Sequence, residues 1–153
     1  MIIKEISEVS EKQNVVRLIL EALPDWFGIP EAREHYIEES AIHPFYAAYN
    51  EDRPVGFIYL NKTGKDTLEL YVMGVLMEYH GKGVGKMLFE KARETAIRDG
   101  YSFLQVKTVQ MGRYAIYDKT NQFYLSLGFK ELEVFPSLWD ERNPCQVYVM
   151  SLK

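Results

Sequence analysis

The stretch Glu78-Tyr79-His80-Gly81-Lys82-Gly83-Val84-Gly85-Lys86-Met87-Leu88 decides the fold of this 153-residue chain. Three alternating glycines stand between an apolar run and a segment with helical periodicity. A backbone without Cβ turns sharply and lets a ligand approach its amides. The helix that follows leaves its first turn of N–H groups without intrahelical partners and carries about half a positive charge at that end, which suits a phosphate or pyrophosphate. Lys82 and Lys86 add full charges.

Spacing separates this turn from two other phosphate-binding loops. A Walker loop needs four residues before its Gly-Lys and then Ser or Thr, whereas Met87 follows Gly85-Lys86 here and the spacing from Gly81 is one short. A dinucleotide fingerprint needs a last glycine where Lys86 stands, and an acidic residue ending a second strand, which Gln105 to Thr108 lack.

Upstream, Thr67 to Leu76 reads as the strand delivering the chain to the turn, with Leu68, Leu70 and Val72 on one side and Glu69, Tyr71 and Met73 on the other. Gly74 within it signals a bulge or a close backbone approach. Downstream, Val84, Leu88, Ala92 and Ala96 lie four apart, a helical stripe that Gly100 caps. Phe103 to Lys107 is the next strand, so the unit predicts a right-handed parallel crossover with an anion at the carboxyl end of its first strand.

The pattern His80-x-x-Gly83-x-Gly85 resembles the Gln/Arg-x-x-Gly-x-Gly/Ala signature of the GCN5-related N-acetyltransferases (GNAT), whose successive amides hold the pyrophosphate of coenzyme A. Val75 to His80 is similar to the family's Val-x-Pro-x-Tyr-Arg, with Met77 for Pro and His80 for Gln or Arg. Phe123-Tyr124-Leu125-Ser126-Leu127-Gly128-Phe129 is similar to its later Phe-Tyr-x-x-x-Gly-Phe, although Tyr117 and Thr120 replace the Asn and Ala that often precede it. The resemblance implies an α/β fold: a mixed, mostly antiparallel sheet with a parallel strand-helix-strand crossover and helices on both faces, spanning residues 1–153 as a single acetyltransferase domain. It also implies acetyl-coenzyme A as acetyl donor and direct transfer to a primary amine of a small or cationic molecule. Under it Gly74, Val75, His80, Gly81, Lys82, Gly83, Val84, Gly85 and Lys86 bind the cofactor. Tyr124 protonates the leaving thiolate, and Glu69, six residues before Val75, takes the place of a base glutamate. Two alternatives stay open: a non-catalytic acyl-coenzyme A sensor or scaffold, and a transferase for a longer acyl donor.

The chemistry needs such groups. An alkyl amine of pKa about 10.4 costs about 4.6 kcal/mol to deprotonate at neutral pH, which a carboxylate, directly or through water, would assist. A freed N–H beside a bulge at Gly74 and Val75 would meet the developing oxyanion. Glu69 reads equally as a solvated strand carboxylate. For the acceptor the sequence offers Trp26 and Phe27 in a loop ending at Pro30, and Glu31 in an acidic helix face with Glu34 and Glu38. Together they would attract a cationic amine; equally, acids three and four apart are how any solvated helix face looks.

The rest of the chain supplies the frame. Ile2 to Ile6 reads as a strand. Ser10 caps a helix whose buried stripe is Val15, Leu18, Ile19 and Ala22, ending at Pro24. Pro30 opens a second helix to Glu39. Phe45 to Tyr49 and Pro54 to Leu60 form a hairpin. Tyr114 to Leu127 is a helix capped by Gly128, and Phe129 to Phe135 a strand. Pro136, Trp139 and Asn143-Pro144 lie in a loop before a last strand, Gln146 to Met150.

With 47% apolar residues the chain is globular, and its net charge of -4 argues against an unspecific nucleic-acid binder. Cys145 stands alone, which excludes an internal disulfide and suggests a reducing, cytoplasmic setting. His35, His43 and His80 show no ligand spacing, so no metal is expected, nor a membrane span. A homodimer is compatible with everything read so far.

Overall fold

Helical periodicities and β-rich runs resolve into four helices and seven strands in a computed structural model describing residues 1–153. In chain order these are β1 (Ile2–Glu5), α1 (Val9–Glu21), α2 (Pro30–Glu39), β2 (Phe45–Asn50), β3 (Arg53–Lys62), β4 (Thr67–Val75), α3 (Val84–Arg98), β5 (Phe103–Val109), α4 (Ala115–Ser126), β6 (Lys130–Asp140) and β7 (Asn143–Ser151). The strands follow the order β1-β2-β3-β4-β5-β7-β6 in a mixed, mostly antiparallel sheet. By internal contacts the residues group into two compact units, Met1–Asn61 with Leu70–Thr95 and Lys62–Glu69 with Ala96–Lys153.

In the first unit β1 pairs antiparallel with β2, and β2 with β3, around a turn where Glu51 takes φ 56°. Phe45, Phe57 and Tyr59 stack within the core, the first two with ring planes 7° apart. The inner face of α1 is Val15, Val16, Ile19 and Leu20, joined beyond the helix by Leu23. Leu18 and Ala22, expected in that stripe, are exposed. The reason is that adjacent pairs recurring at four residues make a wide face centred between the pairs, and position 18 falls outside it. Ser10 is also not the cap. Glu8 precedes the helix, so Ser10 sits within its first turn and donates its hydroxyl to Glu8 Oε1 at 2.6 Å. Lys12 completes the inner face because its stem is apolar and its ammonium reaches the Ala41 and His43 carbonyls at 3.3 and 2.8 Å.

The second unit holds β5, β7 and β6, paired antiparallel in that order, with α4. Asn121 is fully buried and fixes the helix: its amide donates to the Val109 and Tyr117 carbonyls at 2.8 and 2.6 Å, and its oxygen accepts from Tyr148 Oη at 2.6 Å. The expected loop around Pro136 and Trp139 is instead the second half of β6, and Asn143-Pro144 opens β7. Two facts permit it. β6 ends the sheet order, where a proline's missing N–H costs no ladder bond, and the register shifts between Phe135 and Asp140. Asp140 Oδ1 then accepts from the Arg142 and Asn143 amides at 2.9 and 3.0 Å, closing a tight turn.

Candidate active site

The glycine turn has the geometry its composition implies. Gly81 and Gly83 take φ +74° and +84°, values that L side chains rarely adopt, and nothing stands within 4 Å of the Cβ either would carry. The first amide of the turn to find a backbone acceptor is Met87, which donates to the Gly83 carbonyl at 3.0 Å. The six amides from Gly81 to Lys86 have none, and five of these residues are half-buried or exposed. Val84, Leu88, Ala92 and Ala96 are all buried, so the α3 stripe anchors the helix while its N-terminus stays open.

Neighbouring side chains brace this turn. His80 Nε2 donates to the Val75 carbonyl at 2.6 Å, so the imidazole ties the end of β4 to the turn. Trp26 meets the His80 ring edge-on at 5.7 Å, bringing an expected acceptor residue against an expected cofactor residue. Lys82 Nζ lies 5.5 Å from the Tyr79 ring centroid, and Tyr79 Oη accepts from Asn50 Nδ2 at 2.8 Å. Lys86 remains exposed.

β4 departs from a regular strand just before the turn. Phe57 and Tyr59, two apart on β3, share a face; a Cβ on Gly74 would stand 3.2 Å from Phe57, and the Tyr71 ring centroid is 5.6 Å from that of Tyr59. Residues 71 and 74 therefore project to one side although three apart, which period two allows only with an extra residue between them. On the opposite side, a Cβ at Gly56 would meet Val75 Cγ2 at 3.3 Å and the Gly74 carbonyl at 3.2 Å. Both readings of Gly74, bulge and close approach, describe the same place.

Tyr71 joins an aromatic group that the sequence alone does not assemble. Tyr71 meets Tyr36 and Tyr59 edge-on at 6.3 and 5.6 Å, and His43 at 5.5 Å. Its hydroxyl donates to Glu39 Oε2 at 2.7 Å, and His35 Nε2 lies 3.1 Å from the same oxygen. Burial first, then the field of Tyr71, Glu39 and Tyr36, raises the Tyr59 phenol well above its usual range. Phe27 joins the rim against Tyr36 at 6.2 Å. Glu31 stays exposed in the first turn of α2, and Glu34 is taken by Arg17, whose Nη2 donates to its Oε2 at 2.9 Å.

In the second unit Tyr124 is 7% exposed, between Phe129 and Tyr148 at 5.9 and 6.4 Å, and burial pushes its phenol up to about 12. Glu69 is 3% exposed, which overturns the solvated-strand reading; Lys107 Nζ, 3.3 Å away, supplies the counter-charge that so deep a carboxylate requires. Cys145, fully buried, has its thiol raised to about 11 by burial, so it is a packing residue and no nucleophile. No group of His, Cys, Asp and Glu able to hold a metal is present, and no helix is long and apolar enough to cross a membrane.

Residues 41–131 match the acetyltransferase (GNAT) domain. The chain is 31% identical over 102 residues to N-acetylaspartate synthetase of Xenopus tropicalis and 31% over 104 residues to mycothiol acetyltransferase of Jonesia denitrificans, covering 66% of this chain each time. It spans only about a third of those relatives, 36% and 31% of their lengths. An aminoglycoside 6'-N-acetyltransferase solved with coenzyme A shares the fold, with TM-score 0.78 at 19% identity, covering 100% of this chain and 98% of the other. A glycine turn with free amides ahead of a helix, reached from an irregular strand, thus stands inside a matched region covering most of the chain, and the protein belongs to the GNAT acetyltransferase family.

Proposed function

We propose that this chain is an acetyl-coenzyme A-dependent N-acetyltransferase that acts by direct transfer to a primary amine of a small or cationic molecule. The observation that carries the reading is the run of six amides from Gly81 to Lys86 without a backbone acceptor, at the N-terminus of a fifteen-residue helix. Such a run suits the diphosphate of coenzyme A, and Lys82 and Lys86 match its charge. The donor supplies an activated thioester. Glu69 accepts the amine's proton, directly or through water, as the nitrogen bonds to the carbonyl carbon. An amide beside the irregularity at Gly74 and Val75 meets the oxyanion, and Tyr124 donates to the sulfur as the carbon–sulfur bond breaks.

The Tyr124 value sharpens its role. Burial raises its phenol to about 12, further above a free thiol of about 8.5 than an ordinary tyrosine stands, so full proton transfer to the sulfur is unfavourable. Tyr124 therefore works as a hydrogen-bond donor whose proton moves only as the sulfur becomes desolvated. The reading extends to one acetyltransferase domain over residues 1–153, acting in the cytoplasm.

Thiol release from acetyl-coenzyme A, followed across polyamines, amino acids, aminoglycosides and peptides, tests the proposal. Tyr124→Phe is expected to lower turnover roughly a hundredfold, at the low end for a positioned acid, with coenzyme affinity nearly unchanged. Tight coenzyme binding without thiol release on any amine would overturn transfer in favour of a sensor.

A further inference from the structure

Glu39 is a carboxylate with one oxygen occupied and the other open. Oε2 accepts from Tyr71 Oη at 2.7 Å and lies 3.1 Å from His35 Nε2. Oε1 lies 4.0 Å from His43 Nε2, beyond hydrogen-bond range, and that nitrogen is itself buried without a partner. An ionised carboxylate offers about four acceptor positions, so Oε1 keeps its own. The side chain is 29% exposed, deep enough to strengthen an ionic hydrogen bond and open enough to be reached. Half-buried Tyr36 and Tyr71 belong to the same cluster, Tyr71 through its hydroxyl on Glu39, and aromatic surroundings favour a cation.

We infer that Glu39 is a specificity-determining residue that seats a non-reacting ammonium group of the acceptor, so that the preferred substrates carry at least two amino groups. The inference rests on the acetyl-transfer reading for its chemistry. The seated group is not the reacting one, because a carboxylate favours the protonated amine, whereas attack on a thioester needs the nitrogen lone pair. Tyr71 and His35 hold Oε2, and Oε1 keeps its lone pairs for the incoming charge. A second amino group on the acceptor then improves binding without changing the transfer step.

The test compares 1,4-diaminobutane with butylamine as acceptors. A hydrogen bond to a charged group corresponds to roughly a ten- to hundredfold preference in kcat/KM for the diamine. Glu39→Gln should abolish that preference by raising KM for the diamine alone, with kcat for both amines unchanged, and Glu39→Asp should restore part of it. The His35 and His43 ring resonances give a readout independent of turnover: diaminobutane should shift them in the native chain and not in Glu39→Gln. Equal kcat/KM for the two amines in the native protein, or a preference that survives Glu39→Gln, would overturn the inference while leaving acetyl transfer standing. Glu39-dependent shifts with no thiol release on any amine would support the ammonium seat while refuting the transferase reading.

Discussion

Replacing Gly83 by alanine separates the backbone strain of the glycine turn from its work as an anion seat. At φ +84°, with nothing within 4 Å of a new Cβ, the variant meets no clash. Its stability cost is the left-handed penalty alone, about 1–2 kcal/mol. For a chain of this size that lowers Tm by roughly 2–8 °C. Gly100 is a strain-matched control: φ +82°, open space around its Cβ, and a place at the far end of α3. Gly100→Ala should cost the same. Coenzyme A at a hundred times its Kd stabilises the native chain by about 2.7 kcal/mol. Scanning calorimetry should show that gain intact in Gly100→Ala and reduced by more than half in Gly83→Ala, whose strained turn no longer aligns its amides. An equal coenzyme-induced shift in the two variants would refute the assignment of the diphosphate to this turn.

Other consequences follow from buried groups. Gly74→Ala would put a Cβ 2.9 Å from Ile19 Cγ2 and 3.2 Å from Phe57, so urea unfolding should show a loss of about 1–3 kcal/mol from overpacking. Lys107→Met removes the ammonium beside buried Glu69; breaking such a pair costs about 3–5 kcal/mol, and Lys107→Met with Glu69→Gln should recover much of it. Alkaline pH should destabilise the fold, because burial raises Cys145 to about 11 and Tyr124 to about 12. Their neutral forms favour the folded chain, so this stability is full below the unfolded values near 9 and 10 and is lost as pH rises through 11 and 12. Shifts of this size correspond to a few kcal/mol of stability. The urea midpoint should therefore fall steadily above pH 9, and Cys145→Ala should delay the first part of that fall.

The elements legible in the sequence are those whose signals are local. Pro30 opens α2 because its missing N–H is one the first turn does not need, and Gly100 and Gly128 follow α3 and α4 with φ +82° and +104°. The α3 stripe was readable for the same reason: four residues at one spacing define one face whatever covers it. The face of α1 was misplaced by part of a turn because Val16, Leu18 and Leu20 are all apolar and only packing chooses among them. Pro136 suggested a loop because a proline forbids a central strand, yet β6 is an edge, and edge position belongs to the sheet and to no single residue.

The same division runs through the candidate site. The proposed diphosphate seat consists of consecutive amides, so Gly81 to Lys86 could be picked out from consecutive letters. The proposed ammonium seat of Tyr36, Glu39 and Tyr71 draws on two elements, α2 and β4, which meet only in the folded chain. In the sequence Glu39 is one of several acids on an acidic helix. What distinguishes it is where its neighbours end up: Glu34 is neutralised by Arg17 and Glu31 stays in water, whereas Glu39 alone of the three receives a phenol that leaves its other oxygen unclaimed. If acceptor choice rests on Glu39 and Tyr71 and donor binding on the turn, as proposed, substitutions on β4 between Tyr71 and Gly74 should alter which amine is used before they alter coenzyme affinity.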